Sequence, residues 1–508
     1  MILKIYTILR IFFFILFLII SFYASKFYEG SIFIFGVYCS SFVGMIFYLT
    51  DRKSSYFEIF FSSYLFLGFW FKYVFSLILY DGSVFDSGQI NSKKIDDILV
   101  IGTLVAITCI AASFAYKQFI NRDFIKKVES KERSFFEIFY LNNRILILSF
   151  FFTSVIVAAL LNHQFGIYQR GFITSSEVPY FFQNLLKWLL LFGFTTFSCF
   201  LIHVEILNQK KLNFYTVIIS LFEILISYTS MLSRSFVINA MSLMVPLYQR
   251  SIKLKKNYDS FFYIFFVIAL LSTAISVYTV NYLRLAKLDS IKIDWNNINN
   301  PSSQIPSDTQ LKIEKYKFQL PEKKALVRNT KALTEKKLTS NDVTNFIIIN
   351  RWIGIDSLIL VHNSKKTSFD LFFKSLKEKK KQNTENTFYE KTFGLSSDKI
   401  NISTNKVLLK GNTLPGIITF LYYSGNLYFV LISLFSIIII FNIFELMVKK
   451  ITHSNLIFAC FLSNMIATRL FHFGYAPKES YLFLMSFLLS VALMVFLLKF
   501  KFLFINRK

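Results

Sequence analysis

Few residues in this chain are suited to covalent or metal chemistry. Its 508 residues include four cysteines, five histidines and seven prolines. Cys39, Cys109, Cys199 and Cys460 all fall within apolar runs, and no CxxC pair occurs. That excludes a disulfide framework and gives no metal knuckle. The histidines are His163, His203, His362, His453 and His472, and no two have the spacing of metal ligands. A P-loop, a GxSxG elbow and an HExxH helix are all missing, which removes the commonest nucleotide, serine-hydrolase and zinc-protease signatures. Acidic residues are scarce as well, 30 against 56 lysines and arginines.

Apolar residues are abundant. The chain is 54% hydrophobic with 64 phenylalanines and a mean hydropathy of +0.51. A soluble domain has no interior large enough for that much apolar surface, so lipid is the expected solvent. The formal charge of +26 then reads as basic loops facing the cytoplasm and anionic lipid, not as a nucleic-acid face, because the cations are spread along many loops.

A membrane-crossing helix needs about 20 apolar residues. On that length the sequence predicts an all-α, polytopic membrane protein of about twelve transmembrane helices, at roughly 4–25, 31–50, 57–80, 96–117, 144–162, 181–207, 212–232, 234–249, 259–282, 414–444, 453–471 and 480–503. The first is read as a retained anchor, since no small-residue cleavage site follows it. With the N-terminus inside, lysine and arginine concentrate in the cytoplasmic segments, for example Lys126, Lys127, Lys210, Lys211, Lys255 and Lys256. The short external loops carry few cations, and both termini fall in the cytoplasm. Dropping the short eighth helix would reverse the placement of Arg250 to Lys256 and break the pattern.

The chain thus divides into helices one to nine (1–282), one large polar loop (283–411) and helices ten to twelve (412–508). In a bacterium the loop is periplasmic. Residues 283–340 show little apolar periodicity. Asp342–Val361 and Phe369–Lys381 are amphipathic and are expected to form short helices on the membrane surface over an opening between spans.

Arginine stands out against lysine at the external helix ends: Arg170, Arg234, Arg284, Arg351 and Arg469. A guanidinium presents a fixed fork of donors to phosphate oxygens and stays charged when partly buried, so several around one cavity suit a pyrophosphate. Taken singly, each is equally well explained by interfacial snorkelling. Tyr168, Tyr228, Tyr282, Trp352, Tyr422, Tyr423 and Tyr475 accompany them and offer flat amphipathic faces to sugars, or simply form an aromatic belt. His163, His362 and His472 are external and are candidate general bases. Lys72 and Glu223 lie inside predicted spans, where a lone charge is expensive. They are expected to pair with each other or to line a proton or ion path.

These features together resemble the O-antigen polymerase family, the oligosaccharide repeat-unit polymerases of the Wzy type. Locally the likeness rests on YQRGF at 168–172, MLSRSFVINA at 231–240, NRWIGIDSL at 350–358 and NTLPGIITFLYYSG at 412–425. The resemblance implies a glycosyltransferase of the bacterial inner membrane that uses no metal or other cofactor. A growing glycan would leave its polyprenyl pyrophosphate carrier and join a newly flipped lipid-linked repeat unit at the periplasmic face. Arg170, Arg234, Arg284, Arg351 and Arg469, with Trp352 and Tyr422, would bind pyrophosphate and glycan, and His362, His472 or His163 would take the acceptor proton. A flippase and a chain-length regulator would be its partners, besides the lipid bilayer. The first external loop has one acid, Glu29, and not the paired acids that hold a metal in many membrane glycosyltransferases using lipid sugars. Two other readings share the plan. One is the O-antigen ligase, for which a loop histidine such as His362 would be essential. The other is a lipid-linked oligosaccharide transporter, which would have short loops and two similar halves.

Overall fold

The computed structural model describes residues 2–51, 54–80, 95–120, 134–170, 172–174, 178–209, 214–233, 352–379, 387–393, 407–409 and 414–500, with isolated positions between 239 and 283 and residue 349. Among these, eight helices are long and apolar enough to cross a membrane, and Tyr215–Ser230, Val267–Val280 and Leu456–Phe471 form shorter apolar helices. Among the described residues the molecule is helical apart from one small ribbon. Large side chains such as Phe22, Phe33, Ile145 and Tyr428 stand at its rim at 74–79% exposure, which fits a lipid environment.

The chain begins with α1 (Ile2–Ala24) and α2 (Ile32–Leu49). The next long rod is α3 (Tyr56–Phe66), a π-helical turn Leu67–Phe71, and α4 (Lys72–Tyr80). Then come α5 (Asp96–Ala115), α6 (Phe135–Asn142), α7 (Arg144–Phe165), α8 (Tyr180–Trp188), α9 (Phe194–Gln209) and α10 (Phe214–Ser230). Three short helices of the polar loop follow: α11 (Ile355–Ser364), α12 (Phe369–Leu376) and α13 (Phe388–Phe393). The last four are α14 (Gly416–Tyr422), α15 (Leu427–Ile451), α16 (Leu456–Phe471) and α17 (Ser480–Lys499). The ribbon pairs β1 (Phe172–Thr174) antiparallel with β2 (Val407–Leu409), joining the α7–α8 connection to the end of the polar loop.

Two interleaved packing groups make the bundle. In one, α5 packs on α2 and α15, and α3 packs on α16. In the other, α10 packs on α9 and α7. The helix starts are set by local chemistry. SYFEIF at 55–60 and SFFEIF at 134–139 are nearly the same hexapeptide, and each forms a capping box: the serine hydroxyl accepts the N–H three residues on, and the glutamate returns to the serine N–H. α6 lies between the predicted spans 96–117 and 144–162, and it is locked in place as Ser134 Oγ donates to the Leu497 carbonyl and the Phe135 N–H to that of Phe500.

Three expectations are corrected. The predicted span 414–444 is not continuous: α14 ends at Tyr422, Gly425 turns with φ +70°, and Asn426 caps α15 by accepting the Phe429 N–H. The NTLPGIITFLYYSG segment is therefore a short buried helix placed before the membrane-length one. The helix within Asp342–Val361 does not lie on a surface either. In α11, Ile355 to Ile359 and Val361 are all buried, packed against α14, α5 and α13. Lys72 does not pair with Glu223. Its Nζ meets Asp356 Oδ2 at 2.9 Å and donates to the Trp352 carbonyl at 2.9 Å, with Lys72 wholly buried.

Two glycines let α11 reach that depth. A Cβ on Gly354 would stand 2.3 Å from the Gly68 carbonyl oxygen, and one on Gly68 would stand 2.0 Å from that of Ile353. The two backbones touch directly, and any larger residue separates them. Ser357 completes the dock, its hydroxyl lying within hydrogen-bond distance of the carbonyls of Gly354 and Pro415 and of the Thr419 hydroxyl.

Two predictions follow from this geometry. Gly354→Ala should lower the thermal unfolding midpoint in detergent, at a cost of at least about 1–3 kcal/mol from forced backbone separation; an unchanged midpoint would show that the two glycines need not touch. Lys72→Met or Asp356→Leu alone should cost about 3–5 kcal/mol by leaving one buried charge, whereas the double substitution should recover much of that loss. Strictly additive losses would rule out a coupled pair.

Candidate functional site

The end of the bundle that carries the polar loop gathers several of the predicted residues around Tyr168. The segment leading there is tied down tightly. Gly166 ends α7 with φ +57°, a left-handed turn that suits glycine. The buried Asn162 accepts the Tyr168 N–H at 2.8 Å and donates to the carbonyls of Tyr168 and Ser230. The Arg170 N–H then donates to the Met231 carbonyl at 2.9 Å. With β1 starting two residues later, Arg170 is fixed from both sides.

The Arg170 guanidinium lies 5.9 Å from the centre of the Tyr228 ring. Burial opposes its charge, but the oxygens of Tyr168, Tyr228 and Tyr64 around it outweigh that and hold it above its ordinary pKa. Tyr64 comes from α3 and its hydroxyl bonds to Asn464 Oδ1 at 3.0 Å and Thr468 Oγ1 at 2.8 Å on α16. Arg469, on the same helix, is within electrostatic reach of Tyr168 and bonds to Ser480 Oγ at 3.3 Å. Its Nε is buried without a partner among the described residues. Two arginines from distant parts of the sequence therefore approach one tyrosine.

Phe471 joins this cluster to the docked loop. Its ring stacks on Tyr64 at 5.1 Å, meets Trp352 at 6.4 Å and has His472 edge-on at 5.2 Å. Trp352 and His472 are thus neighbours of the arginine cluster, with His472 exposed and its Nδ1 hydrogen-bonded to the Thr468 carbonyl.

The other histidines lie elsewhere. His362, on α11, shares a hydrogen bond of 2.9 Å with Tyr422 Oη, and the two rings stack at 6.0 Å. Burial, with some help from the charge of Asp97, raises the Tyr422 hydroxyl above its ordinary pKa and keeps it neutral. His163 is exposed near the end of α7, where its carbonyl accepts Gln169 Nε2. The three candidate bases are not one group. Arg234, Arg284 and Arg351 lie outside the described residues; next to Arg234, the Ser233 N–H reaches the Tyr228 carbonyl, and across the segment Asn239 Oδ1 accepts from Asn464. Tyr475 sits apart beside Glu378, its hydroxyl raised by burial and by Glu378, Glu479 and Glu390.

Sequence reasoning missed Tyr64, Asn162, Asn464 and Asp356. Asn162 and Asn464 had a readable signal, being amides inside apolar helices that must find partners. Tyr64 had none among 27 tyrosines.

In chemical terms the cluster offers two guanidinia, three phenols, two amides and an indole at the edge of an apolar bundle. Such a set has the chemistry to suit an anionic, hydroxyl-rich ligand. No family model matches the chain, and neither a curated protein nor a solved structure does.

Proposed function

We propose that this protein is a membrane glycosyltransferase, a polymerase of polyprenyl-pyrophosphate-linked oligosaccharide repeat units. In this reading the chain crosses a bacterial inner membrane twelve times with both termini in the cytoplasm, and the polar loop and arginine cluster face the periplasm. The observation that carries it is the convergence of Arg170 and Arg469 on Tyr168, beside Tyr64, Tyr228 and Trp352. A lipid diphosphate leaving group gathers negative charge as its glycosidic bond breaks. Fixed guanidinia aimed at that charge stabilise the transition state more than the ground state. The tethering of the Arg170 backbone, directly to Met231 and through Tyr168 to Asn162, supports such a role, because preorganised donors need little rearrangement when the charge develops. Aromatic faces next to them suit the sugar rings, and the apolar rim suits the polyprenyl chain. His472, adjoining the cluster, is the favoured base for the acceptor hydroxyl.

One observation favours the ligase as second reading. His362 sits on the buried loop helix α11, held by Tyr422. A ligase would pass the finished glycan to a lipid acceptor and would depend on that loop histidine.

The test is the glycan profile of cells lacking the gene, complemented with wild type, Arg170→Ala, Arg170→Lys, Arg469→Ala, His472→Ala or His362→Ala. A polymerase predicts that the null strain stops at a single repeat unit. Both arginine-to-alanine variants should cut long chains by roughly 10²-fold, with Arg170→Lys little better because it lacks the planar fork. Long chains that stay on the carrier lipid in the null strain and in His362→Ala would make the protein a ligase. Single repeats trapped on the cytoplasmic leaflet would make it a transporter.

A further inference from the structure

Glu223 takes no part in the arginine cluster. It lies on α10 and is completely buried. Its contacts among the described residues are two hydroxyls, Thr195 Oγ1 of α9 at 3.2 Å from Oε2 and Ser227 Oγ of its own helix at 3.0 Å from Oε1. The other buried acids differ from it. Glu205 holds Arg144, Glu445 holds Lys449 and two helix N–H groups, and Asp356 holds Lys72. Glu58 and Glu137 each accept the N–H of a capping serine, Glu390 that of Thr387 and Glu378 that of Phe388. Cations and N–H groups can only donate, so their partners must be acceptors and are best served by carboxylates. A hydroxyl donates or accepts, so the two around Glu223 suit a carboxylic acid as well as its anion. An unpaired anion at this depth costs several kcal/mol, and a neutral acid avoids that.

Among the described residues, no cation is hydrogen-bonded or ion-paired to Glu223. On α9, Cys199 is within electrostatic reach of Glu223, Glu205 is committed to Arg144 and Tyr140, and His203 is buried. On α7, Arg144 and His163 sit at opposite ends, and the Leu189–Gly193 turn has no titratable side chain. On α10 itself, Tyr228 turns to Arg170.

We propose that Glu223 is a proton-binding site inside the bundle. Its carboxyl is protonated at neutral pH, donates to Thr195 Oγ1 and accepts from Ser227 Oγ. Polar contacts continue from there toward the arginine cluster: the Ser230 hydroxyl donates to the Ser227 carbonyl, and Asn162, which holds Tyr168, donates to that of Ser230.

Dicyclohexylcarbodiimide, which adds to protonated carboxyls in apolar surroundings, tests this on the full-length protein in lipid vesicles. Adducts are read by mass spectrometry at pH 7, in sodium chloride and in choline chloride. The expected result is an adduct on the Glu223 peptide at least tenfold above that on the equally buried Glu205, the same in both salts, and absent from that peptide in Glu223→Gln. An adduct no greater than that of Glu205 overturns the proposal, since it means an ionised carboxylate. Severalfold protection by sodium overturns it too, in favour of a cation site.

Discussion

The ion pair between Lys72 and Asp356 is the contact on which the loop end of the molecule depends. A lysine inside an apolar helix must find an acceptor, because its ammonium cannot reach water from a wholly buried position. It finds two, the Asp356 carboxylate and the Trp352 carbonyl, and both belong to a segment 280 residues or more further along the chain. The pair fixes where α11 enters, and the contact of Gly68 with Gly354 fixes how deep. Once α11 is buried, α14 has a partner to pack on, Tyr422 comes within reach of His362, and Trp352 stands against Phe471. A hydrophobic pair could provide similar stability, but with less demand on register.

The few acids of the chain act repeatedly as connectors of this kind. Asp96, in the first turn of α5, accepts the Ser31 N–H and the Tyr28 hydroxyl, which joins α2 to α5. Glu445 on α15 accepts the N–H groups of Tyr56 and Phe57 at the start of α3 and a hydroxyl from Ser463 on α16. In both cases a carboxylate sits at the positive end of a helix, where its charge is stabilised without a counter-ion from solvent. In an interior where apolar contacts are non-directional and most helices are rich in apolar side chains, these few polar contacts help determine which helix sits beside which.

That logic also decides what the sequence reveals. Helix positions follow from apolar run length, so α1 to α5, α7 to α10 and α16 and α17 stand close to where hydropathy puts them. The interruption before α15 was encoded in SGN at 424–426, a turn signal hidden by the apolar residues on either side. The burial of α11 was not legible, because its amphipathic pattern suits a surface and a tightly packed polar interior equally well. Lys72 showed that a partner must exist, but a spacing of 284 residues gives no hint of which one. At the site, arginine at helix ends singled out Arg170 and Arg469, while Tyr64 and the amides that hold Tyr64 and Tyr168 depend on pairings between α3, α7 and α16 that only tertiary structure provides.

The two arginines are held differently, and this bears on how a ligand would be bound. Arg170 lies on a segment whose backbone is tied to α7, α10 and the ribbon, so its position is set before any ligand arrives. Arg469 rides on the last turn of α16, where Ser480 at the start of α17 accepts from one Nη and the Nε is buried without a partner among the described residues. A buried donor with no acceptor destabilises the unliganded protein by about 1–3 kcal/mol. An anion that supplied the missing acceptor would recover that energy on binding, and a charge-assisted bond to the guanidinium would be among the stronger ones the bundle could make.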